Sequence, residues 1–155
     1  MIETNEEEIS VRAKLAICLV AAAAATAALA ANVQIMVKYQ AIVASADGQA
    51  RLDKSVKLFF GRGSVPAGAK SLGVVTVNKI ANEKERHEFN ANCDAAVLQA
   101  LTDLQQRAKS AGGDGVGNII SVWQGIESND ADQAECHAGG TGGHLTLKAQ
   151  LIKLN

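Results

Sequence analysis

The chain has 155 residues, enough for one domain with its own core and too few for two domains of ordinary size. Its formal net charge is −1, from 15 basic and 16 acidic side chains, so no basic excess exists to neutralise a nucleic-acid backbone. Although 48% of the residues are hydrophobic, many are alanines in one N-terminal block, and the aromatic residues are three Phe, one Tyr and one Trp. The core therefore depends on Val, Ile, Leu and Ala, and we expect no nucleic-acid partner.

The first 30 residues are predicted to be a secretory signal peptide. Two basic residues, Arg12 and Lys14, precede an apolar run at 15–29. Ala28-Leu29-Ala30 then matches the small-x-small pattern of a cleavage site. We therefore expect cleavage after this triplet, and we expect residues 31–155 to form a single exported domain.

The alternative to cleavage is a membrane anchor through residues 15–37. Weakly polar sequence continues past the apolar run, and a spanning helix needs about 20 mainly apolar residues. Both interpretations place the domain in the periplasm or outside the cell, because the two basic residues hold the N-terminal side in the cytoplasm. Cys18 does not indicate a lipoprotein, since the preceding Ile17 is not small and the apolar run lies mostly after the cysteine.

After the leader, the hydrophobic pattern predicts one helix flanked by strands. Residues 34–43 predict a first strand or an extended arm. The elements that follow are a strand at 55–60, a strand at 72–77, a helix from about Cys93 to Gly112, and strands at 118–124 and 144–154. We therefore predict an α+β fold: one small sheet of about four strands, in β-β-α-β-β order, with one main amphipathic helix on one face. A hydrophobic leader helix would precede it.

The helix has the clearest pattern in the chain. Apolar side chains recur at spacings of three and four residues and would form one buried stripe. They are Cys93, Val97, Ala100, Leu101, Leu104, Ala108 and Ala111. Gly112 and Gly113 follow, and glycine can take the left-handed geometry that ends a helix. Since Cys93 lies on the stripe, we expect its side chain to face the sheet.

Three segments between these elements predict loops. Residues 61–68 contain the single proline, residues 78–92 are polar and highly charged, and residues 128–135 are acidic. Segments of this composition are usually solvated connections.

Residues 63–71, GSVPAGAKS, come close to the phosphate-binding pattern of two glycines separated by four residues and followed by Lys-Ser. Ala69 intrudes between Gly68 and Lys70, which moves the lysine out of register with the backbone that would hold the phosphates. A helix should follow such a loop, whereas residues 72–77 predict a strand. We therefore predict that the protein neither binds nor hydrolyses ATP.

Cys93, Cys136, His137 and His144 form the one cluster with metal-ligand chemistry, since two thiolates and two imidazoles can hold zinc. Adjacent side chains such as Cys136 and His137 diverge in an extended segment. In an exported chain two cysteines more often pair with each other, and we predict a disulfide between Cys93 and Cys136. Two alternatives are a metal site that uses both cysteines with one or both histidines, and a nucleophilic cysteine beside His137.

Several short segments occur together in a known pattern. They are KLFFG at 57–61, TVNK at 76–79, the helix of Cys93 with its end QQRAKSAGGDGVGNI, and ECHAG at 135–139 before a final LKAQLIKL. With these segments the chain resembles a family of small exported proteobacterial proteins often labelled "excinuclease ATPase subunit". That label does not fit this sequence, because no intact nucleotide loop is present and a DNA-repair ATPase subunit is far longer.

More distantly, the chain resembles the outer-membrane lipoprotein that senses damage for the Rcs envelope-stress phosphorelay, and small domains described as heavy-metal binders. The Rcs sensor is lipidated, whereas this sequence has no lipidation site. The resemblance implies a shared strand-helix-strand-strand core and supports the pairing of the two cysteines. It implies no catalytic residues.

The sequence thus predicts a non-catalytic binding or interaction module of the bacterial periplasm or cell envelope, stabilised by one disulfide. Its partner would be an envelope protein or a small ligand. Two alternatives are a metal-binding protein that uses Cys93 and Cys136 with His137 and His144, and a membrane-anchored accessory subunit of a larger envelope complex. We expect no enzyme activity, no nucleotide and no cofactor.

Overall fold

The structure is a computed structural model that describes residues 32–85 and 87–155. The predictions for the leader, its cleavage site and Cys18 lie outside the described residues. The last part of the alternative anchor at 15–37 is described and forms a strand. Within the described part of the chain, no helix is long and apolar enough to cross a membrane.

The described residues form seven strands and three helices. In chain order they are β1 (Val33–Lys38), α1 (Tyr39–Ala44), α2 (Ala46–Arg51), β2 (Lys57–Phe60), β3 (Lys70–Ala81), α3 (Phe89–Ser110), β4 (Gly115–Trp123), β5 (Ile126–Glu127), β6 (Gln133–Gly139) and β7 (Gly142–Lys153). The predicted α+β arrangement of about four strands and one helix is therefore wrong. Residues 32–85 and 87–155 instead form one mixed sheet of seven strands.

Strand β7 lies at the centre of this sheet. Along one edge it pairs antiparallel with β3, from Lys70 opposite Lys153 to Ala81 opposite Gly143. Its other edge is shared, because β6 pairs with the first residues of β7 and β4 pairs with the rest. Strand β1 adds to β6, β2 adds parallel to β4, and β5 forms a short hairpin with β4.

The strands that the sequence did not predict owe their conformation to these partners. β6 reads QAECHAG and has no β-branched residue, so its intrinsic strand preference is weak. It is extended because it pairs with β1 on one side and β7 on the other. β3 likewise continues to Ala81, past the predicted end at Val77, because β7 offers partners that far.

Helix α3 covers one face of the sheet. Its predicted apolar stripe is buried from Cys93 to Ala108, and only Ala111, just past the helix end, is exposed. On the sheet side, alternate residues of β7 point at the helix and are buried, namely Leu145, Leu147, Ala149 and Leu151. Gly143 continues this series where the helix begins. A Cβ atom on Gly143 would lie 2.7 Å from the carbonyl carbon of Asn92 and 2.8 Å from the amide nitrogen of Cys93, so helix and strand touch through their backbones.

A polar side chain of α3 holds the segment before β2. Gln105 is buried and bonds to three backbone groups of residues 53–56. Its amide nitrogen donates to the carbonyl oxygens of Asp53 and Val56, at 2.9 and 2.8 Å, and its amide oxygen accepts from the Asp53 N–H at 2.8 Å. Because buried backbone groups need partners, Gln105 is part of the core despite its polarity.

Tyr39 is the largest fully buried side chain, and its ring stacks on Phe60 with centroids 4.3 Å apart. Its hydroxyl is buried without a hydrogen-bond partner among the described residues. Burial raises the pKa of this hydroxyl well above its usual value, and the nearby Asp130 carboxylate adds to the effect.

We expect Tyr39→Phe to stabilise the fold by about 1 kcal/mol, because it removes an unpaired buried hydroxyl and keeps the stacked ring. Urea denaturation would measure the change. Tyr39→Leu is the control and should destabilise the fold, since it removes the ring as well. Destabilisation by Tyr39→Phe would show that the hydroxyl has a partner in solution.

Candidate binding face of the sheet

The face of the sheet that points away from α3 carries polar side chains, and we call it the open face. It is defined on β7 by the residues that alternate with the buried series, namely His144, Thr146, Lys148 and Gln150. The neighbouring strand β3 contributes the residues opposite them, including Val74 and Ile80, whose exposed fractions are 61% and 60%. The two faces thus differ sharply in character, one apolar and covered by α3, the other polar.

Each of the four β7 side chains on the open face has a hydrogen-bond partner. The pairs are His144 with Thr141 (2.7 Å), Thr146 with Asn78 (2.6 Å), Lys148 with Glu127 (2.6 Å) and Gln150 with Asn118 (3.0 Å). Three of these partners come from distant parts of the chain. The array therefore restricts the positions of the polar groups on this face.

Loop 61–69 folds over one end of the open face. Gly117 permits this approach, since a Cβ atom there would lie 2.6 Å from Cγ2 of Val65. The next residue, Asn118, has a φ of 51°, an uncommon value for a residue other than glycine. It exchanges two hydrogen bonds with Ser64: the Ser64 N–H donates to the Asn118 side chain, and the Asn118 N–H donates to the Ser64 hydroxyl.

An open cavity of about 260 Å³ lies between this loop and the sheet. Its wall contains apolar side chains from Val74 and Ile120 and polar or charged side chains from the loop, β4, β5 and β7. The polar and charged residues are Arg62, Asn118, Glu127, Lys148 and Gln150. Polar groups that converge beside apolar wall residues are typical of small-ligand sites.

Glu127 sits between two cations at this cavity. One carboxylate oxygen accepts from the Lys148 ammonium at 2.6 Å, and the other accepts from the Arg62 guanidinium. Arg62 also donates through Nε to Asn129, at 2.8 Å. The hydrogen bonds from Lys148 and then Arg62 lower the pKa of Glu127 below its ordinary value.

We expect carboxyl NMR to find the pKa of Glu127 below that of an ordinary glutamate, and Lys148→Gln to raise it. Since the pKa is lower in the folded state, these pairs add stability that is present at neutral pH and lost as the pH falls through the folded pKa. The control Arg107→Gln removes a cation from α3 and should leave the pKa of Glu127 unchanged. A Glu127 pKa that does not respond to Lys148→Gln would show that the pair is absent in solution.

His137 lies at the other end of the open face. Its ring is largely buried and stacks on Trp123, with centroids 3.5 Å apart and planes at 10°. Nε2 lies 2.7 Å from a carboxylate oxygen of Glu135. In the register of β6 and β7, His137 lies opposite His144.

The two cysteines that were predicted to pair lie at disulfide distance on the helix side of the sheet. Their Cα atoms are 5.9 Å apart, Cys93 in the first turns of α3 and Cys136 in β6, and both side chains are fully buried. His137 follows Cys136 in the same strand and therefore points to the opposite face. The structure thus does not bring the cysteines and histidines together as one ligand set. Among the described residues, no group of three or more His, Cys, Asp or Glu side chains is placed to hold a metal ion.

The loop that resembles a phosphate-binding motif leads into a strand. Lys70 is the first residue of β3 and pairs with Lys153. Two residues here contribute to the open face, Arg62 directly before the motif and Ser64 within it, and no sequence pattern indicated either of them. The alternation of polar residues in HLTLKAQ was a usable signal for an exposed face, but their partners Asn78, Asn118 and Glu127 lie 21 to 68 residues away.

Comparison of this chain with protein-family models, with curated proteins and with solved structures gave no significant match.

Proposed function

We propose that residues 32–155 form a non-catalytic binding module of the bacterial envelope, which holds an envelope protein or a small ligand on the open face. The observation that supports this proposal is the open face itself. It combines a row of polar side chains held by mutual hydrogen bonds with a cavity beside loop 61–69 and two exposed apolar residues on β3. A prearranged polar surface with apolar patches suits recognition.

The arrangement of reactive groups favours binding over catalysis. The two cysteines are fully buried at disulfide distance and are unsuited to act as nucleophiles. The imidazoles of His137 and His144 have side-chain hydrogen-bond partners, Glu135 for His137 and Thr141 for His144. Each contact gives its histidine a role in the structure, and the third histidine, His87, lies exposed beside Glu85.

Three observations support a location outside the cytoplasm. Disulfides persist in oxidising compartments, and the pairing of Cys93 with Cys136 suits such a compartment. The leader pattern at 1–30 predicts export. The resemblance to small exported proteobacterial proteins supports the same location.

Site-specific photo-crosslinking in proteobacterial cells tests this proposal. A benzophenone amino acid would replace Val74 or Ile80 on the open face, and Gln106 on the exposed side of α3 would serve as the control position. We expect discrete adducts, seen on gels or as mass shifts of the protein, from both open-face positions and none from Gln106. Absence of adducts from the open face, or equal adducts from Gln106, would contradict the proposal.

A further inference from the structure

We propose that the cavity beside loop 61–69 binds a small carboxylate that carries a short aliphatic group. This inference rests on the proposed function, since it names the class of ligand held at one end of the open face. It follows from the hydrogen-bonding capacity of the wall, from its charge, and from the size and apolar part of the cavity.

The cavity wall has more hydrogen-bond donors than acceptors. Arg62 uses Nε and Nη2 on Asn129 and Glu127, and its Nη1 has no acceptor among the described residues. The Lys148 ammonium has three N–H groups and donates one hydrogen bond, to Glu127. The side-chain amide nitrogen of Gln150 donates to no group in the described part of the chain, because its contact with Asn118 uses the amide oxygen.

Each side-chain acceptor of the wall already accepts one hydrogen bond. Both oxygens of Glu127 accept from a cation, and the Asn118 side-chain oxygen accepts from the Ser64 N–H. The wall groups that have no partner are therefore N–H donors, and a ligand that supplies acceptors satisfies them, whereas a ligand that supplies only donors leaves them unpaired. Carboxylates accept from guanidinium and ammonium groups through strong, charge-assisted hydrogen bonds.

The net charge of the cavity wall also favours a carboxylate ligand. Arg62 and Lys148 face one carboxylate, that of Glu127, so the charged side chains that line the cavity have a net charge of one positive unit. The exposed fractions of the Arg62 and Lys148 side chains are 51% and 41%, so both groups can reach a ligand from solvent. One bound carboxylate would balance this charge.

The volume of the cavity limits the size of the ligand, and its apolar residues favour an aliphatic group beside the carboxylate. A cavity of about 260 Å³ holds roughly eight or nine water molecules at about 30 Å³ each, and thus a ligand with a similar number of heavy atoms. Val74 and Ile120 line the same cavity and offer apolar contact to an aliphatic group. Butyrate, with six heavy atoms, has the carboxylate and the short chain and fits within this volume.

The test is a titration of the protein, purified after expression of the full chain, with butyrate followed by backbone amide NMR. Butyramide is the matched neutral ligand, and inorganic phosphate tests whether any anion suffices. We expect butyrate in the millimolar range to shift the amides of residues 62–64, 118 and 148–150, and butyramide and phosphate to shift them at least tenfold less at equal concentration. Binding of butyramide or phosphate as tight as that of butyrate, or no binding of butyrate, would overturn the inference.

Two double variants test whether butyrate binds at the cavity or elsewhere on the surface. Arg62→Gln with Lys148→Gln should weaken butyrate binding at least tenfold. Arg107→Gln with Lys109→Gln is matched to it, since both residues are ion-paired to carboxylates, but on α3, and should leave binding unchanged. Equal binding by the first variant and the wild type would overturn the inference, because it would place the ligand elsewhere.

A peptide comparison identifies the natural source of the carboxylate. N-acetyl-Ala-Val with a free C-terminus and the same dipeptide with an amidated C-terminus would be titrated after butyrate. Binding of the free form alone supports a peptide C-terminus as the ligand, and binding of butyrate alone supports a free acid. If open-face crosslinks form but butyrate does not bind, the ligand assignment fails and the proposed function stands. If butyrate binds but no open-face adduct forms, the carboxylate site stands, and of the proposed function only the binding of an envelope protein fails.

Discussion

Replacement of Cys93 and Cys136 together by alanine is expected to lower the free energy of unfolding by about 4 kcal/mol under oxidising conditions. The two residues are 43 positions apart and join the start of α3 to β6, so their bond would restrict a long loop of the unfolded chain. A loss of this size corresponds to a fall in melting temperature of roughly 10–15 °C for a domain of this length. Urea denaturation of the wild type and of the double variant, without reductant, measures the difference in the free energy of unfolding.

The single variants provide the control for this prediction. Either Cys→Ala change alone should cost nearly as much as the double variant, because the first removal already breaks the bond. Intact mass before and after reduction should differ by the two hydrogens that a disulfide takes up. Two thiols that alkylate without reductant, in protein taken from an oxidising compartment, would contradict the pairing and favour the metal alternative.

Gly143→Ala is expected to destabilise the fold by about 3 kcal/mol. The added Cβ would lie within 2.8 Å of backbone atoms of Asn92 and Cys93, and a backbone contact cannot be relieved by a change of rotamer. Helix α3 would have to move away from β7 at the end where Cys93 meets Cys136. We therefore expect the substitution to slow disulfide formation during refolding as well.

Gly140→Ala is the matched control for this substitution. Gly140 lies three residues earlier, and a Cβ atom there would have no heavy atom within 4 Å. We expect its effect on stability to stay within about 0.5 kcal/mol. Similar losses for the two variants would show that α3 does not approach β7 closely at Gly143.

The parts of the fold that the sequence predicted are those with strong local patterns. The helix stripe from Cys93 to Ala108 was identified from its spacing and is buried as expected. The β-branched run at 72–77 lies within β3, and the alternating residues at 144–154 largely form β7. In each case a property of neighbouring residues decides the structure.

The elements that were missed depend on distant residues. β6 is a strand because β1 and β7 are its neighbours, although its own composition of Ala, Gln, Glu and Gly disfavours a strand. α1 begins at Tyr39 within a segment whose apolar residues suggested a continuous strand. There the burial of Tyr39 and Ile42 selects a short helix. Local propensity is a weak guide where burial decides.

The candidate site shows the same limit. The pairing of Cys93 with Cys136 could be predicted because the chain offers few partners for either residue. The cavity of the open face could not be predicted, since Lys148, Glu127 and Arg62 come together only when β7, β5 and loop 61–69 meet. No short sequence motif indicates that these three residues are close in the fold.

The central position of β7 has a consequence for how the domain forms. Its residues, Gly142–Lys153, are the last of the seven strands to be synthesised, yet β3 has no other strand partner, and β4 and β6 join the sheet centre only through β7. Pairing over such long sequence separations is slow, because distant segments must be brought together before any contact is gained. A nascent chain that ends before Gly142 therefore has no centre for its sheet. We therefore expect the sheet to assemble only after the residues of β7 have been synthesised.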